Sequence, residues 1–109
     1  MTDKYILDEN GEPQSEPDLM KWAEWMERDD RVLRKTDVGE SRISTVFLGL
    51  DHRFGDDGPP LLFETMVFGG TLDQKQDRYA TRQEAMRGHD SMVSRVAIGV
   101  PHLKAIRVK

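Results

Sequence analysis

Ten residues in mid-chain, Asp51-His52-Arg53-Phe54-Gly55-Asp56-Asp57-Gly58-Pro59-Pro60, gather the side chains best suited to chemistry. Asp51, Asp56 and Asp57 offer carboxylates, His52 an imidazole and Arg53 a guanidinium beside the Phe54 ring. Such a set, carried on a loop between strong strands, suits a site on a rigid scaffold. With Glu64 and His89 the loop would suit a small metal-dependent hydrolase. Arg53 and the glycine amides would instead suit an anionic small ligand such as a nucleotide. The same ten residues are good turn formers, and a solvated turn explains them without any chemistry.

Two further polar residues sit where apolar ones are expected. Glu64 falls among Leu62, Met66 and Phe68 on one side of an apolar run, so it needs a partner or water, since an isolated buried carboxylate is costly. Arg42 or Arg53 is the expected partner. His89 lies within a helical stripe of Ala85, Gly88, Met92, Val93 and Val96, which predicts a neutral, hydrogen-bonded core histidine. Gly88 beside it predicts close approach of that helix to the sheet. The chain has no HExxH, no phosphate-binding glycine loop, no nucleophile elbow and no cysteine nucleophile, which favours binding over catalysis.

The elements that would position these groups follow from pattern. The runs Ile43–Leu50 and Leu61–Phe68 are rich in Val, Ile, Phe and Thr and read as two antiparallel strands at the centre of a sheet. Alternation places Leu61, Phe63, Thr65 and Val67 on one face of the second, and Leu62, Glu64, Met66 and Phe68 on the other. Lys4–Asp8 predicts an edge strand entering the Asn10-Gly11 turn. Ser15 reads as a helix N-cap, with Pro17 in the first turn and Asp18 three residues on. The helix should run to Arg28 and bury Leu19, Trp22, Ala23 and Met26, with Trp25 at the rim. Arg31–Thr36 predicts a strand returning through the turn at Asp37-Val38-Gly39-Glu40. Gly69-Gly70 opens a polar link to Ala80 without periodicity. Thr81-Arg82-Gln83-Glu84 is a capping box for a second helix that Gly99 and Pro101 stop. The remainder, 98–109, is a frayed tail or a short last strand. The expected fold is a single α+β domain: a three- to four-stranded antiparallel sheet with two helices, in the order β-α-β-β-β-α.

Composition narrows the function classes. At 109 residues the chain suits one domain, and its net charge of −4, with acids and bases interspersed, lacks the basic footprint of a non-specific nucleic-acid binder. The absence of cysteine excludes disulfides and thiolate metal sites and fits a reducing, cytoplasmic setting. No leader segment and no membrane-spanning run is legible. No residue pattern calls for a cofactor.

The stretches STVFLGLDHRFGDDGPPLLFETMVFGG and DRYATRQEAMRGHDSMV resemble a group of short bacteriophage- and prophage-encoded proteins. The likeness runs from Tyr5 to about Val96 and is most specific in the central block. It implies expression inside an infected bacterial cell, and a role in binding a host or phage component that extends to antagonising host defence. It assigns no role to any residue. The residues themselves point the same way. If both helices lie on one side of the sheet, Leu62, Met66 and Phe68 would be left as an apolar patch, to be covered by a second copy in a homodimer or by a protein partner.

Overall fold

A computed structural model describes residues 2–28, 30–51 and 58–99; His52, Arg53, Phe54, Asp56, Asp57 and the tail beyond Gly99 lie outside the described residues. The protein is α+β, as the sequence predicts, with two helices and two antiparallel sheets among the described residues. β1 (Tyr5–Leu7) and β2 (Pro13–Ser15) form a small hairpin. α1 (Leu19–Arg28) follows, then the meander β3 (Val32–Val38), β4 (Ser41–Phe47), β5 (Phe63–Phe68) and β6 (Gln76–Tyr79), and finally α2 (Arg82–Ile98). The main sheet has the order β3-β4-β5-β6, so every strand pairs with its neighbour in sequence.

The turns obey local chemistry. Asp8 accepts the Asn10 and Glu12 amides on Oδ1 at 2.8 and 3.0 Å, which fixes the Asn10-Gly11 turn between β1 and β2. β3 and β4 close through Gly39-Glu40 alone, with Val38 opposite Ser41. Gly39 has φ 59° and Glu40 has no positive φ, as a type II′ turn requires, and glycine adopts the first position without strain. The expected four-residue turn is therefore two residues shorter, and Asp37 and Val38 belong to the strand.

Three other elements differ from expectation. Ser15 ends β2 and does not cap α1. Asp18 takes that place, its Oδ1 accepting the Met20 and Lys21 amides at 2.9 and 3.1 Å. The helix starts later because Gln14 and Ser15 are drawn into pairing with Ile6 and Tyr5. Within α1 no residue is fully buried, and Leu19 and Ala23 are exposed. Trp25, expected at the rim, packs edge-on against Phe47 with ring centroids 5.7 Å apart. The helix lies against β1 at one end of the sheet, and the Trp22 indole N–H donates to the Gly49 carbonyl at 3.0 Å. The polar link to Ala80 contains an edge strand, β6, which shows no apolar alternation because only Tyr79 enters the core.

α2 forms as predicted. The Thr81 hydroxyl accepts the Glu84 amide at 3.1 Å while Glu84 Oε1 accepts the Thr81 amide at 3.2 Å. The helix lies across all four strands of the meander. Its buried residues, Ala85, His89, Met92 and Val96, recur at helical spacing and face the sheet. Among the described residues no helix is long and apolar enough to cross a membrane.

The cap assignment is testable by urea denaturation. Asp18→Ala should lower stability by about 1 kcal/mol, whereas Ser15→Ala should stay within about 0.5 kcal/mol of the parent. Equal losses at both positions would contradict this start of α1.

Candidate functional site

The two faces of the meander differ sharply. On the α2 face, Ile43, Thr45, Phe47, Phe63, Thr65 and Val67 are all fully buried. The registers place Ile43 opposite Val67, Thr45 opposite Thr65 and Phe47 opposite Phe63. A polar row thus separates two apolar ones. Val38, Ile43, Val67, Met92 and Val96 pack on one side of it, and Phe47, Leu62, Phe63 and Ala85 on the other.

His89 completes that row and is wholly buried. Its Nδ1 lies 2.7 Å from the Thr45 hydroxyl and its Nε2 lies 2.8 Å from the Thr36 hydroxyl. Thr45 in turn sits 2.6 Å from Thr65. In a neutral imidazole one nitrogen donates and the other accepts, and hydroxyls can take either complementary role. Burial lowers the His89 pKa by penalising the charged ring; the Arg34 charge adds to this and Asp90 opposes it. Arg34 and Asp90 themselves form an exposed ion pair at 2.9 Å. At the end of the row the Tyr79 phenol is enclosed without a hydrogen-bond partner among the described residues. Burial raises its pKa, with the nearby Thr65 hydroxyl acting in the other direction. A Cβ at Gly88 would collide with the Tyr79 ring and hydroxyl, so the close approach expected of Gly88 is real.

The opposite face carries Lys35, Asp37, Arg42, Ser44, Val46, Glu64, Met66, Phe68, Gln76 and Arg78, in the cross-strand rows Asp37–Arg42–Phe68, Lys35–Ser44–Met66–Gln76 and Val46–Glu64–Arg78. Among the described residues no helix or strand packs over it. Phe68 is 50% exposed, and Val46 and Met66 are half-buried by their neighbours. Glu64 is paired with Arg78 through Nε at 3.0 Å, not with Arg42 or Arg53, because β6 brings Arg78 directly opposite. Arg42 is committed to Asp37 at 2.8 Å, and this bond lowers the Asp37 pKa. Both ion pairs sit at corners of the face.

Leu62 does not belong to this face. It is 2% exposed and packs with Phe47, Phe63 and Ala85. The Leu62 amide donates to the Tyr79 carbonyl at 2.9 Å while the register sets Phe63 opposite Tyr79. Two residues thus oppose one, as in a β-bulge, and the extra residue breaks the alternation. A second bulge lies between Val32 and Arg34 and turns Leu33 towards the same cluster. Neither bulge is visible in composition, since every residue involved is a good strand former or charged.

The remaining candidates do not converge. Asp51 Oδ1 accepts the Leu61 amide at 3.0 Å and so ties together the ends of the mid-chain loop. His89 and Glu64 lie on opposite faces of the sheet, which removes any joint metal or general-base role. Among the described residues no three His, Asp or Glu side chains gather as metal ligands. Among the described residues two grooves are notable. One of about 460 Å³ is bounded by Leu61, Arg78, Glu84 and Arg87. The other, of about 360 Å³, is lined by Met26, Val32 and Val46 together with the charged Glu27, Asp30 and Arg31. Sequence reading missed Arg78, because the strand that carries it has no apolar signature, and missed this second groove, because it forms only where α1 meets β3.

Two measurements test the buried row. The unfolded His89 titrates near the ordinary 6.5, the folded one lower. Its contribution is therefore complete above pH 6.5 and is lost as pH falls below that value, until the folded pKa is passed. Stability from urea melts should drop over this window in the parent and much less in His89→Leu; identical pH slopes would contradict the assignment. Gly88→Ala should cost roughly 1–3 kcal/mol through its collision with Tyr79, and combining it with Tyr79→Phe should not restore the parent, since the ring also collides.

No family model, curated protein or solved structure matches the chain.

Proposed function

We propose that the protein acts by binding, through the open face of its sheet, and that the occupant is a second copy of the chain. The observation that carries this reading is Phe68, half exposed next to Met66, with Val46 further along the same face, which none of the described elements covers. Contiguous apolar side chains left bare on a sheet commonly mark an interface. The charges fit a copy better than a strongly charged partner: three cations (Lys35, Arg42, Arg78) stand against two acids (Asp37, Glu64), leaving the face near neutral on a chain of net charge −4.

Area sets the strength. Four strands about 4.8 Å apart and six residues at about 3.4 Å each give a face on the order of 400 Å². Two such faces bury roughly 800–1,000 Å² with side-chain relief, at the weak end of specific interfaces. A reversible dimer of micromolar or weaker affinity follows. The resemblance to phage and prophage proteins supports an infected bacterial cell as the setting. A host or phage protein is then the other occupant of the same face, and antagonism of a host defence would result from its capture.

Sedimentation velocity across a concentration series should show the parent moving from monomer to dimer. Phe68→Glu should remain monomeric with an unchanged melting temperature. A parent that stays monomeric up to submillimolar concentration would rule out the second copy as occupant.

A further inference from the structure

We infer that the open face is self-complementary as a knob and a hole: Phe68 of one copy enters the groove between α1 and β3 of the other, and the contact is made twice. This rests on the dimer reading above and assigns its contact.

Phe68 stands at one end of the face, opposite Arg42 in the register. The groove opens at the other end, where Val46, four residues beyond Arg42 along β4 and opposite Glu64, forms its wall with Val32 and Met26. The two features are therefore roughly 13 Å apart along the strands, on either side of Ser44 and Met66. In a two-fold dimer, if residue i of one copy touches residue j of the other, then j also touches i. A two-fold axis passing between the sheets near Ser44 and Met66 exchanges the ends of the face, so each Phe68 is carried onto the partner's groove. Met66 then lies near the axis against its own symmetry mate.

The lining suits the guest. Met26, Val32 and Val46 are its apolar half, and methionine adapts to an aromatic ring. The about 360 Å³ of the groove admits a phenyl ring with part of its strand. The charged half suits it as well. Glu27 and Asp30 are acidic and Arg31 basic, while Phe68 arrives beside the Arg42–Asp37 pair. Arg42 would face Glu27 and Asp30 across the interface, and Asp37 would face Arg31. Such charged contacts fix register and make association salt-dependent more than they add affinity.

Complementation tests the docking on the full chain. Phe68→Ser removes the knob and leaves the hole; Val32→Trp fills the hole and leaves the knob. Each variant alone should dimerise at least about tenfold more weakly than the parent in sedimentation equilibrium. Their equimolar mixture should form a one-to-one heterodimer tighter than either variant alone, because one Phe68 again meets one open groove. Raising the salt concentration should weaken that heterodimer. Should Val32→Trp fail to fold, Val46→Trp blocks the same groove from the adjacent strand. If the parent dimerises but the mixture is no tighter than its components, the knob-and-hole contact is overturned and the dimer stands. If the parent itself is monomeric throughout, both readings fall.

Discussion

The row of hydroxyls around His89 is the constraint on which the rest of the structure depends. A buried imidazole tolerates its position only while both ring nitrogens are satisfied, and here Thr36 and Thr45 satisfy them. Those two hydroxyls come from β3 and β4, and Thr65 of β5 extends the row. The bonds therefore fix the height and rotation of α2 above β3 and β4 directly, and reach β5 through Thr45, which apolar contacts would specify less strictly. Ala85 falls over one apolar cluster, and Met92 and Val96 over the other. Because the hydroxyls could also serve a charged ring, solvent exclusion and not lost bonding is what opposes protonation.

That placement spends the chain's longest helix on one face. α1 is short, amphipathic and held at the end of the sheet by Trp25 on Phe47 and by Trp22 on Gly49. The hairpin β1–β2 adds Tyr5 and Leu7 to the same cluster as Phe47. The described core is thus built from one side only, and the other side of β4 and β5 keeps side chains that a solvated face would not need. Glu64 and Arg78 occupy that side as a pair whose Glu64 side chain is only 15% exposed, so the face is ordered by its own charges as well as by its apolar residues.

Much of this was legible in the sequence wherever one local rule acted alone. The capping box at Thr81, the Asn10-Gly11 turn, the central pair of strands and the buried His89 each follow from a few neighbouring residues. The start of α1 was not, because Ser15 satisfies the N-cap pattern as well as Asp18 does. Strand pairing with Tyr5, a contact ten residues away, decides between them. β6 was hidden because its stability comes from backbone pairing with β5, which leaves no mark on composition. Leu62 was misplaced because strict alternation fails at a bulge, and a bulge is a property of two strands together. The groove beside Val46 needed the packing of α1 to exist at all.

The bond from the Leu61 amide to the Asp51 carboxylate has a separate implication. It clasps the connection between β4 and β5 at its base, next to a second tie from the Leu48 amide to the Leu62 carbonyl at 2.7 Å. The described ends of the connection are thus held together by bonds of their own beside the β4–β5 ladder. Doubling the connection's length would add only about 0.6 kcal/mol of closure entropy. In closure entropy alone, a longer span between Asp51 and Leu61 would therefore cost the domain beneath little.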